Sequence, residues 1–356
     1  MMNQRVLITG GAGFVGSSLG IGLAHRYPDW KIIALDNLKR RGSELNLPRL
    51  KQAGIEFIHG DVRNIEDLDP VALQPSLILE CSAEPSVLAG YNSPGYVLQT
   101  NLVGTVNCLE LARQTQADFI FLSTSRVYPI AHLSNLKFTE TETRFQLLDD
   151  QSLPGVSSQG ISEEFPLDGA RSLYGATKLA AELLIAEYAD AYGMKTLINR
   201  CGVLTGPWQM GKVDQGVFAL WMAFHYFQKS LKYIGYGGTG KQVRDFLHIA
   251  DLLDLIDIQI ERFEELKGKT FNVGGGVQNT LSLYETTQLC QKITGDQIPI
   301  TPVYETRSGD VPIFITDSRK ITETTGWKPK RNAENTLTDI YEWIHKYKDI
   351  VSNIFG

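Results

Sequence analysis

Short, almost continuously apolar runs alternate with longer segments of helical pattern, and this alternation constrains the fold most. Six such runs lie in the first 200 residues: Arg5–Thr9, Lys31–Leu35, Ile55–His59, Leu77–Cys81, Phe119–Ser123 and Thr196–Arg200. Runs of this kind are typical of parallel strands that are covered on both faces. The clearest helical segments between them are Val97–Gln114 and Ser172–Tyr192. The pattern predicts an α/β fold with a doubly wound parallel sheet.

The composition is that of an ordinary globular protein. Of 356 residues, 43% are hydrophobic and 21% are charged, which is sufficient for a sizeable core. The net charge is −6 and no dense Lys/Arg stripe occurs, so no nucleic-acid partner is expected. No signal-peptide pattern and no long apolar run is found, so a cytoplasmic protein without a membrane span is expected. The four cysteines lack metal-ligand spacing, and no metal is predicted.

A glycine-rich turn follows the first strand and opens a helix. Gly10 permits the tight turn, Gly13 lets backbone N–H groups approach a pyrophosphate, and Gly16 allows close packing of helix against strand. Together with Phe14 and Val15, these glycines would hold an anion at the positive end of the helix. The spacing is GxxGxxG rather than GxGxxG, and glycines of a generic turn are the alternative interpretation.

Acidic residues at the next strand ends favour NAD as the cofactor. Asp36 ends the second strand, where a carboxylate can accept both ribose hydroxyls and would repel a 2′-phosphate. The adjacent Lys39-Arg40-Arg41 could accommodate such a phosphate, although we favour a solvated loop or contact with the cofactor diphosphate. Asp61 is placed to contact adenine, with a helix N-cap as the alternative. Further predicted cofactor contacts are Asn37, Arg40, Val62, Ser82 and Asn101.

Tyr174 and Lys178 lie four positions apart in the second long helical segment and therefore share one face of it. A neighbouring ammonium and a positive nicotinamide would favour the tyrosine phenolate, which makes this side chain usable as a base. The lysine can also hold the nicotinamide ribose. A structural role is the alternative, because this spacing is common on amphipathic helices. The cluster Ser123-Thr124-Ser125 ends the fifth strand, where open sheets bind ligands.

In combination, TGGAGFVGS at 9–17, the Tyr174/Lys178 pair and RDFLH at 244–248 resemble the extended short-chain dehydrogenase/reductase family. The likeness covers nearly the whole chain and implies a Rossmann-type fold. Further stretches look like the CDP-tyvelose (CDP-paratose) 2-epimerases: DNLKRRG at 36–42, ETETR at 140–144, SLYGATK at 172–178, DQG at 214–216, GKQVRDFLH at 240–248 and FNVGG at 271–275. The resemblance implies an NAD-dependent enzyme that epimerises a nucleoside diphosphate sugar at C2.

The family's catalytic threonine precedes a Val-Tyr pair by three positions. That pair is Val127-Tyr128 here, so the resemblance implies that Thr124 acts together with Tyr174 and Lys178. The hydroxyl of Ser125 is a further predicted substrate contact.

Arg244 and Arg307 resemble the arginines with which the family binds the substrate diphosphate. For each arginine, an ion pair with Asp245 or Asp310 is the alternative. Gln209 and Gln215 are also expected to contact the sugar or the base.

Departures from the family pattern narrow the reaction. Ser125-Arg126 stand where related dehydratases place Asp-Glu, so dehydration is disfavoured. Val203 stands where UDP-galactose 4-epimerases carry a substrate-binding asparagine, and Glu80-Cys81-Ser82-Ala83 replaces the usual His-Leu-Ala-Ala/Gly. The resemblance to the CDP-tyvelose epimerases thus implies epimerisation at C2. The alternatives are a UDP-hexose or UDP-hexuronate 4-epimerase, a nucleotide-sugar reductase and a non-catalytic NAD sensor.

Two domains interleaved in sequence are predicted. Residues 1–200 and 240–276 would form the NAD-binding domain, and residues 201–239 and 277–350 a smaller α/β lobe that binds the nucleotide sugar. The polar stretch from Tyr128 to Arg171 is expected to be a functional or mobile loop. The long helices carry more apolar positions than one sheet face needs. Because the equivalent pair forms the dimer interface in this family, a homodimer or homotetramer is expected.

Overall fold

The computed structural model describes residues 4–211 and 215–355, and the chain divides into two compact units. The first unit comprises Met1–Val127, Leu173–Arg200 and Leu252–Phe271, and the second comprises Tyr128–Ser172, Cys201–Asp251 and Asn272–Gly356. This division differs from the predicted one, because residues 128–172, 240–251 and 272–276 belong to the second unit. The cause is backbone pairing within that unit, where the amides of Phe145 and Ile161 donate to the carbonyls of Lys241 and Ile315.

The strands of the described residues are numbered in chain order. They are β1 (Arg5–Thr9), β2 (Lys31–Asp36), β3 (Glu56–His59), β4 (Leu77–Glu80), β5 (Asp118–Thr124), β6 (Phe138–Glu140), β7 (Phe145–Leu147), β8 (Val156–Ser157), β9 (Gly160–Ile161), β10 (Thr196–Cys201), β11 (Val203–Thr205), β12 (Leu231–Ile234), β13 (Val243–His248), β14 (Thr270–Val273), β15 (Thr280–Ser282), β16 (Ile300–Val303) and β17 (Ile313–Phe314).

The α-helices are numbered in the same way. They are α1 (Phe14–Arg26), α2 (Leu47–Gln52), α3 (Pro70–Leu73), α4 (Val87–Asn92), α5 (Pro94–Leu98), α6 (Gly104–Thr115), α7 (Ile130–Ser134), α8 (Leu173–Tyr192), α9 (Val217–Tyr226), α10 (Ile249–Glu261), α11 (Phe263–Leu266), α12 (Leu283–Thr294), α13 (Arg319–Thr325), α14 (Ala333–Lys346) and α15 (Lys348–Phe355). A π-helical turn, Gln99–Val103, joins α5 to α6. Among the helices described, none has the length and apolar character that crossing a membrane requires.

A seven-stranded sheet in the order β14-β10-β5-β4-β1-β2-β3 confirms the predicted Rossmann-type fold. Val6 of β1 lies between Ile32 of β2 and Leu77 of β4, in parallel register with both. The sheet strands are apolar throughout because helices cover the sheet, and side chains such as Leu7 and Phe119 are fully buried. Strand order reverses beside β1, so the carboxyl ends of β1 and β4 form the crevice where such sheets bind ligands.

In the second unit, β13 pairs with β11 and β17 in parallel and with β15 in antiparallel register. Helices α9, α12 and α14 of this unit pack against one another. The stretch predicted to be a long loop contains two antiparallel hairpins, β6–β7 and β8–β9, together with the short helix α7. Strands of two or three residues are too short to show an alternating hydrophobic pattern, and the sequence therefore gave no signal for them.

Candidate active site

The turn between β1 and α1 has the close approaches that a dinucleotide site requires. Gly10 has a φ of +61°, and a Cβ there would lie 2.9 Å from the carbonyl oxygen of Cys81. A Cβ on Gly16 would collide with the carbonyl oxygen of Gly10, so glycine alone lets α1 pack on the turn. Gly11, to which the sequence prediction gave no role, is equally constrained, because its Cβ would lie 2.7 Å from Cα of Ala34.

The N-terminus of α1 has the character of an anion site. Gly13 is the N-cap, and within the described part of the chain no side chain caps this helix and no acidic residue occupies its first turn. The first backbone N–H groups of the helix thus keep their hydrogen-bonding capacity at the positive end of the helix dipole. Such a helix end can hold a pyrophosphate. Its contact with Gly13, Phe14, Val15 and Gly16 stays a prediction.

Asp36 joins the end of β2 to the glycine-rich turn. One carboxylate oxygen accepts from the amide of Ala12 at 3.1 Å, and the other accepts from the amide of Leu38 at 2.7 Å. Burial raises the pKa of Asp36, while the backbone N–H groups around it act in the opposite direction. These bonds fix the carboxylate beside the anion site, where its remaining lone pairs suit a ribose diol.

Asp61 follows β3 and lies in a local cluster. Its carboxylate accepts from the guanidinium of Arg63, with Nε 3.0 Å from Oδ2, and from the amide of Asn37 at 2.9 Å. The hydrogen bonds from Arg63 hold the pKa of Asp61 down at about 2. The alternative role of Asp61 as a helix N-cap is wrong. Its carboxylate accepts from the amide of Arg63, whereas the N-cap of the following 3-10 helix is Asn64. Val62 packs against Gly104 of α6.

The predicted catalytic side chains lie on adjacent elements of the first unit. Helix α8 carries half-buried Tyr174 in its first turn and Lys178 one turn later, and it packs on β5 and on the turn Ser125–Val127. Buried Thr124 ends β5, and its hydroxyl accepts from the amide of Arg126 at 3.2 Å. The end of β5 and the turn after it therefore pack against α8, and proximity of Thr124 to Tyr174 stays a prediction.

Lys178 is held by a residue that the sequence prediction missed. Its side chain is 2% exposed, and Nζ lies 3.5 Å from Oε2 of fully buried Glu80 and 3.8 Å from the ring centre of Phe121. The hydroxyl of Ser82, a predicted cofactor contact, donates to the other oxygen of Glu80. Burial raises the pKa of Glu80 against the attraction of Lys178. The sequence signal that could have identified Glu80 is an acidic residue at the end of an otherwise apolar strand.

Asn101, another predicted cofactor contact, is fully buried in the π-helical turn before α6. Its side-chain oxygen accepts from the amide of Glu84 at 2.7 Å, and its nitrogen donates to the carbonyl of Glu84 and the hydroxyl of Thr177. The side chain thus ties the segment after β4 to α8. A π-helical turn often marks a functional site, and direct contact with NAD stays a prediction.

The predicted diphosphate arginines belong to the second unit. Arg244 forms an ion pair with Asp310, with Nη2 2.6 Å from Oδ1. This is one of the two ion pairs that the sequence left as alternatives to phosphate binding. Arg244 also donates to the carbonyl oxygen of Val311 at 2.6 Å. Asp245 instead accepts from the amide of Gly275. Half-buried Arg307 lies three positions before Asp310.

The amide of Gln209 is used within the second unit, where it donates to the carbonyl of Leu204 and accepts from the hydroxyl of Thr205, both at 2.8 Å. Gln215 is half-buried beside the start of α9. Asp214, which opens the DQG string, lies outside the described residues. Contacts of both glutamines with a substrate stay predictions.

Comparison with known proteins identifies the family. The NAD dependent epimerase/dehydratase family matches residues 6–274. The CDP-paratose 2-epimerase of Salmonella typhi is 32% identical over 96% of this chain and 99% of that protein. The dTDP-glucose 4,6-dehydratase of Salmonella typhimurium is 24% identical over 99% and 95% of the two chains. The crystal structure of UDP-glucose 4-epimerase from Thermotoga maritima with UDP-glucose has a TM-score of 0.79 and 26% identity, covering 96% and 99%.

These matches confirm the resemblance to the extended short-chain dehydrogenase/reductases, since they extend over the sheet, the glycine-rich turn and helix α8. The chain is an enzyme that belongs to the NAD dependent epimerase/dehydratase family.

Proposed function

We propose that this enzyme epimerises a nucleoside diphosphate sugar at C2, with a CDP-hexose as the first choice of substrate. The observation that carries the proposal is the end-to-end similarity to a CDP-paratose 2-epimerase, 32% identical over 96% of this chain. Tyr174, Lys178 and Thr124 on adjacent elements of the first unit support a catalytic role, because a protein that only bound NAD would have no need of a base.

The residues of the first unit fit NAD. When bound, NAD supplies the acceptor of a hydride in the oxidation and its donor in the reduction. The first amides of α1 would bind the pyrophosphate, and Asp36 would accept the adenosine ribose hydroxyls. The carboxylate of Asp36 disfavours a 2′-phosphate, which supports NAD over NADP. The ammonium of Lys178 would bind the nicotinamide ribose.

The chain's own catalytic groups move one proton. Tyr174, as phenolate, takes the proton of the sugar hydroxyl at the carbon that is oxidised, and the hydroxyl of Thr124 relays it. Lys178 favours the phenolate by its charge. Epimerisation results when the ketosugar rotates within the site, so that the opposite face of its carbonyl is reduced, while Tyr174 returns the proton to the carbonyl oxygen. Arg244 and Arg307 would hold the diphosphate meanwhile. To do so, Arg244 would exchange its bond to Asp310 for one to a phosphate oxygen.

Dehydration is the reaction of several relatives, but the residues after Thr124 do not support it. Ser125 and Arg126 cannot serve as an acid/base pair at neutral pH, because the hydroxyl is too weak an acid and the guanidinium stays protonated. Epimerisation at C4 is the second candidate, favoured by the similarity to UDP-glucose 4-epimerase at a TM-score of 0.79.

A screen of CDP-, UDP- and dTDP-hexoses by NMR, with purified protein and no added cofactor, tests the proposal. The expected result is a C2 isomer formed from a CDP sugar, without net consumption of NAD. Inversion at C4 of a UDP sugar would establish the second candidate. In a parallel screen with added NADH, stoichiometric consumption of the NADH would contradict epimerisation. Absence of conversion of every sugar in both screens would also contradict it.

A further inference from the structure

We propose that Glu80 is a positioning residue for Lys178, whose carboxylate keeps the lysine ammonium charged and fixed next to the catalytic tyrosine. The inference rests on the proposed function, since the charge of Lys178 affects the reaction only if Tyr174 is the base. Glu80 stands at the end of β4, in the segment that departs from the family's His-Leu-Ala-Ala/Gly pattern.

Because both side chains are buried, each charge requires the other for its stability. The side chain of Lys178 is 2% exposed and that of Glu80 is fully buried, so neither charge is stabilised by bulk water. An unpaired ammonium at this depth would lose its proton or leave the site, whereas an ion pair with additional polar contacts retains its charge. The ring of Phe121, 3.8 Å from Nζ, adds a cation–π contact.

The carboxylate is itself held in place. Ser82 donates its hydroxyl to Oε1, which leaves Oε2 directed to Nζ at 3.5 Å. A lysine stem has four rotatable bonds, so contacts from β4 and β5 are needed to fix its ammonium one helical turn after Tyr174. Glu80 thereby supplies the position of Lys178 as well as the balancing charge.

The other titratable groups near the pair do not replace Glu80. Cys108 of α6 faces both charges, and burial raises the pKa of its thiol, so it remains neutral at physiological pH. Glu182, one turn after Lys178 on α8, is bound by Arg200, with Nη2 2.7 Å from Oε2. Among the described residues, the carboxylate that forms an ion pair with Lys178 is Glu80.

Glu80→Gln keeps the shape of the side chain and removes its charge. The ammonium of Lys178 is then left in an apolar site without a counter-charge, which favours the neutral amine. The neutral amine no longer favours the phenolate of Tyr174, so turnover is lost at the alkaline end of the pH profile. Because the sugar contacts are untouched, kcat falls while KM for the sugar changes little.

The experiment follows the titration of Lys178 by NMR in holoenzyme with isotope-labelled lysine, with the signal assigned by a Lys178→Arg variant. In Glu80→Gln we expect the Lys178 midpoint, and with it the alkaline limb of kcat, at least about one pH unit lower than in wild type. Glu182→Gln is the matched control. It removes a buried carboxylate from α8, the helix that carries Lys178. This variant should lower Tm without moving the Lys178 midpoint or the alkaline limb of kcat.

An unchanged Lys178 midpoint in Glu80→Gln, or an equal shift in Glu182→Gln, would overturn the inference. If Glu80→Gln does not fold, Glu80→Asp decides, because its shorter side chain weakens the pair and should give a smaller shift in the same direction. A wild-type midpoint in Glu80→Asp would then overturn it. The NMR titration needs no turnover, so failure of the proposed epimerisation would be recognised separately by the activity assay.

Discussion

Tyr174, in the first turn of α8, is the residue on which the proposed chemistry depends. Tyr174→Phe removes the base and keeps the ring, so turnover should fall by roughly two to four orders of magnitude while NAD binding and Tm are retained. Tyr188→Phe, which deletes a phenol from the same helix where it bonds Glu110, is the control and should keep wild-type turnover. Steady-state kinetics on the two variants, with NAD content by absorbance, checks this. Near-wild-type turnover of Tyr174→Phe would refute the assignment.

Thr124 and Ser125 carry adjacent hydroxyls, and we predict that they contribute differently to turnover. Thr124→Val should impair turnover markedly because Thr124 ends β5 beside α8, whereas Ser125→Ala should have a smaller effect. The ratio of the two kcat values measures this difference. The opposite ranking would mean that Ser125 is the hydroxyl that contacts the reacting group.

We expect Asp36 to decide the choice between NAD and NADP. Because its carboxylate is fixed by two backbone amides at the end of β2, it should repel a 2′-phosphate, and wild type should prefer NAD. Asp36→Ala should narrow that preference, as measured by the affinities of the apoprotein for both dinucleotides. Tighter binding of NADP by wild type would show that Lys39, Arg40 and Arg41 dominate.

At the scale of single residues, sequence spacing was sufficient to predict that Tyr174 and Lys178 share one face of a helix, because a helix has a fixed periodicity. The partner of Lys178 could not be predicted in the same way. Glu80 is distant in sequence and reaches the lysine only through strand order and the packing of α8 on the sheet. The ion pair of Arg244 with Asp310 joins two separate segments of the second unit, and sequence alone left it as one of two alternatives.

At the scale of elements, the sheet was predictable because each strand is a continuous apolar run between turns. The strands within residues 128–172 could not be predicted, because they are only two or three residues long and are held by pairing with other parts of the second unit. The π-helical turn Gln99–Val103 interrupts what the sequence presents as one helix from Val97 to Gln114. A single additional residue in a helical turn does not alter hydrophobic periodicity enough to be recognised.

Strand β13 and the glycine turn after β14 are joined by a titratable group. Asp245 accepts from the amides of Gly275 and Gly276 at 2.9 and 3.3 Å, and burial raises its pKa from 3.8 to about 6. Since the folded pKa exceeds the unfolded one, the contribution of Asp245 to stability is full below about pH 4 and is lost as the pH rises through about 6. Asp245→Asn does not titrate and should escape this loss.

Denaturant unfolding of both proteins at stepped pH measures the effect. The stability of Asp245→Asn relative to wild type should increase between about pH 4 and 6, by at most about 3 kcal/mol, and level off above that range. All other titrating groups are common to the two proteins, so they cancel in the difference. A difference that is independent of pH would contradict the raised pKa.

At the scale of the whole molecule, we expect a homodimer or a homotetramer. Helix α8 leaves Leu183 64% exposed, and α5, which packs on α8, exposes Leu98, so apolar side chains are available on the helices where the interface is expected. Leu183→Asp should therefore produce a monomer by light scattering. Val71→Asp, at a residue 76% exposed elsewhere in the first unit, is the control and should keep the wild-type assembly. A concentration-independent monomer in the wild type would contradict the expectation.

Epimerisation at C2 by removal and return of the same hydrogen can be tested by one isotope experiment. The enzyme is incubated with the CDP-hexose in deuterated and in ordinary water, without added cofactor, and the sugar is analysed by NMR. We expect a C2 isomer that retains its original C2 hydrogen and carries no solvent deuterium at that carbon. Deuterium at C2 would contradict it and would establish deprotonation and reprotonation instead.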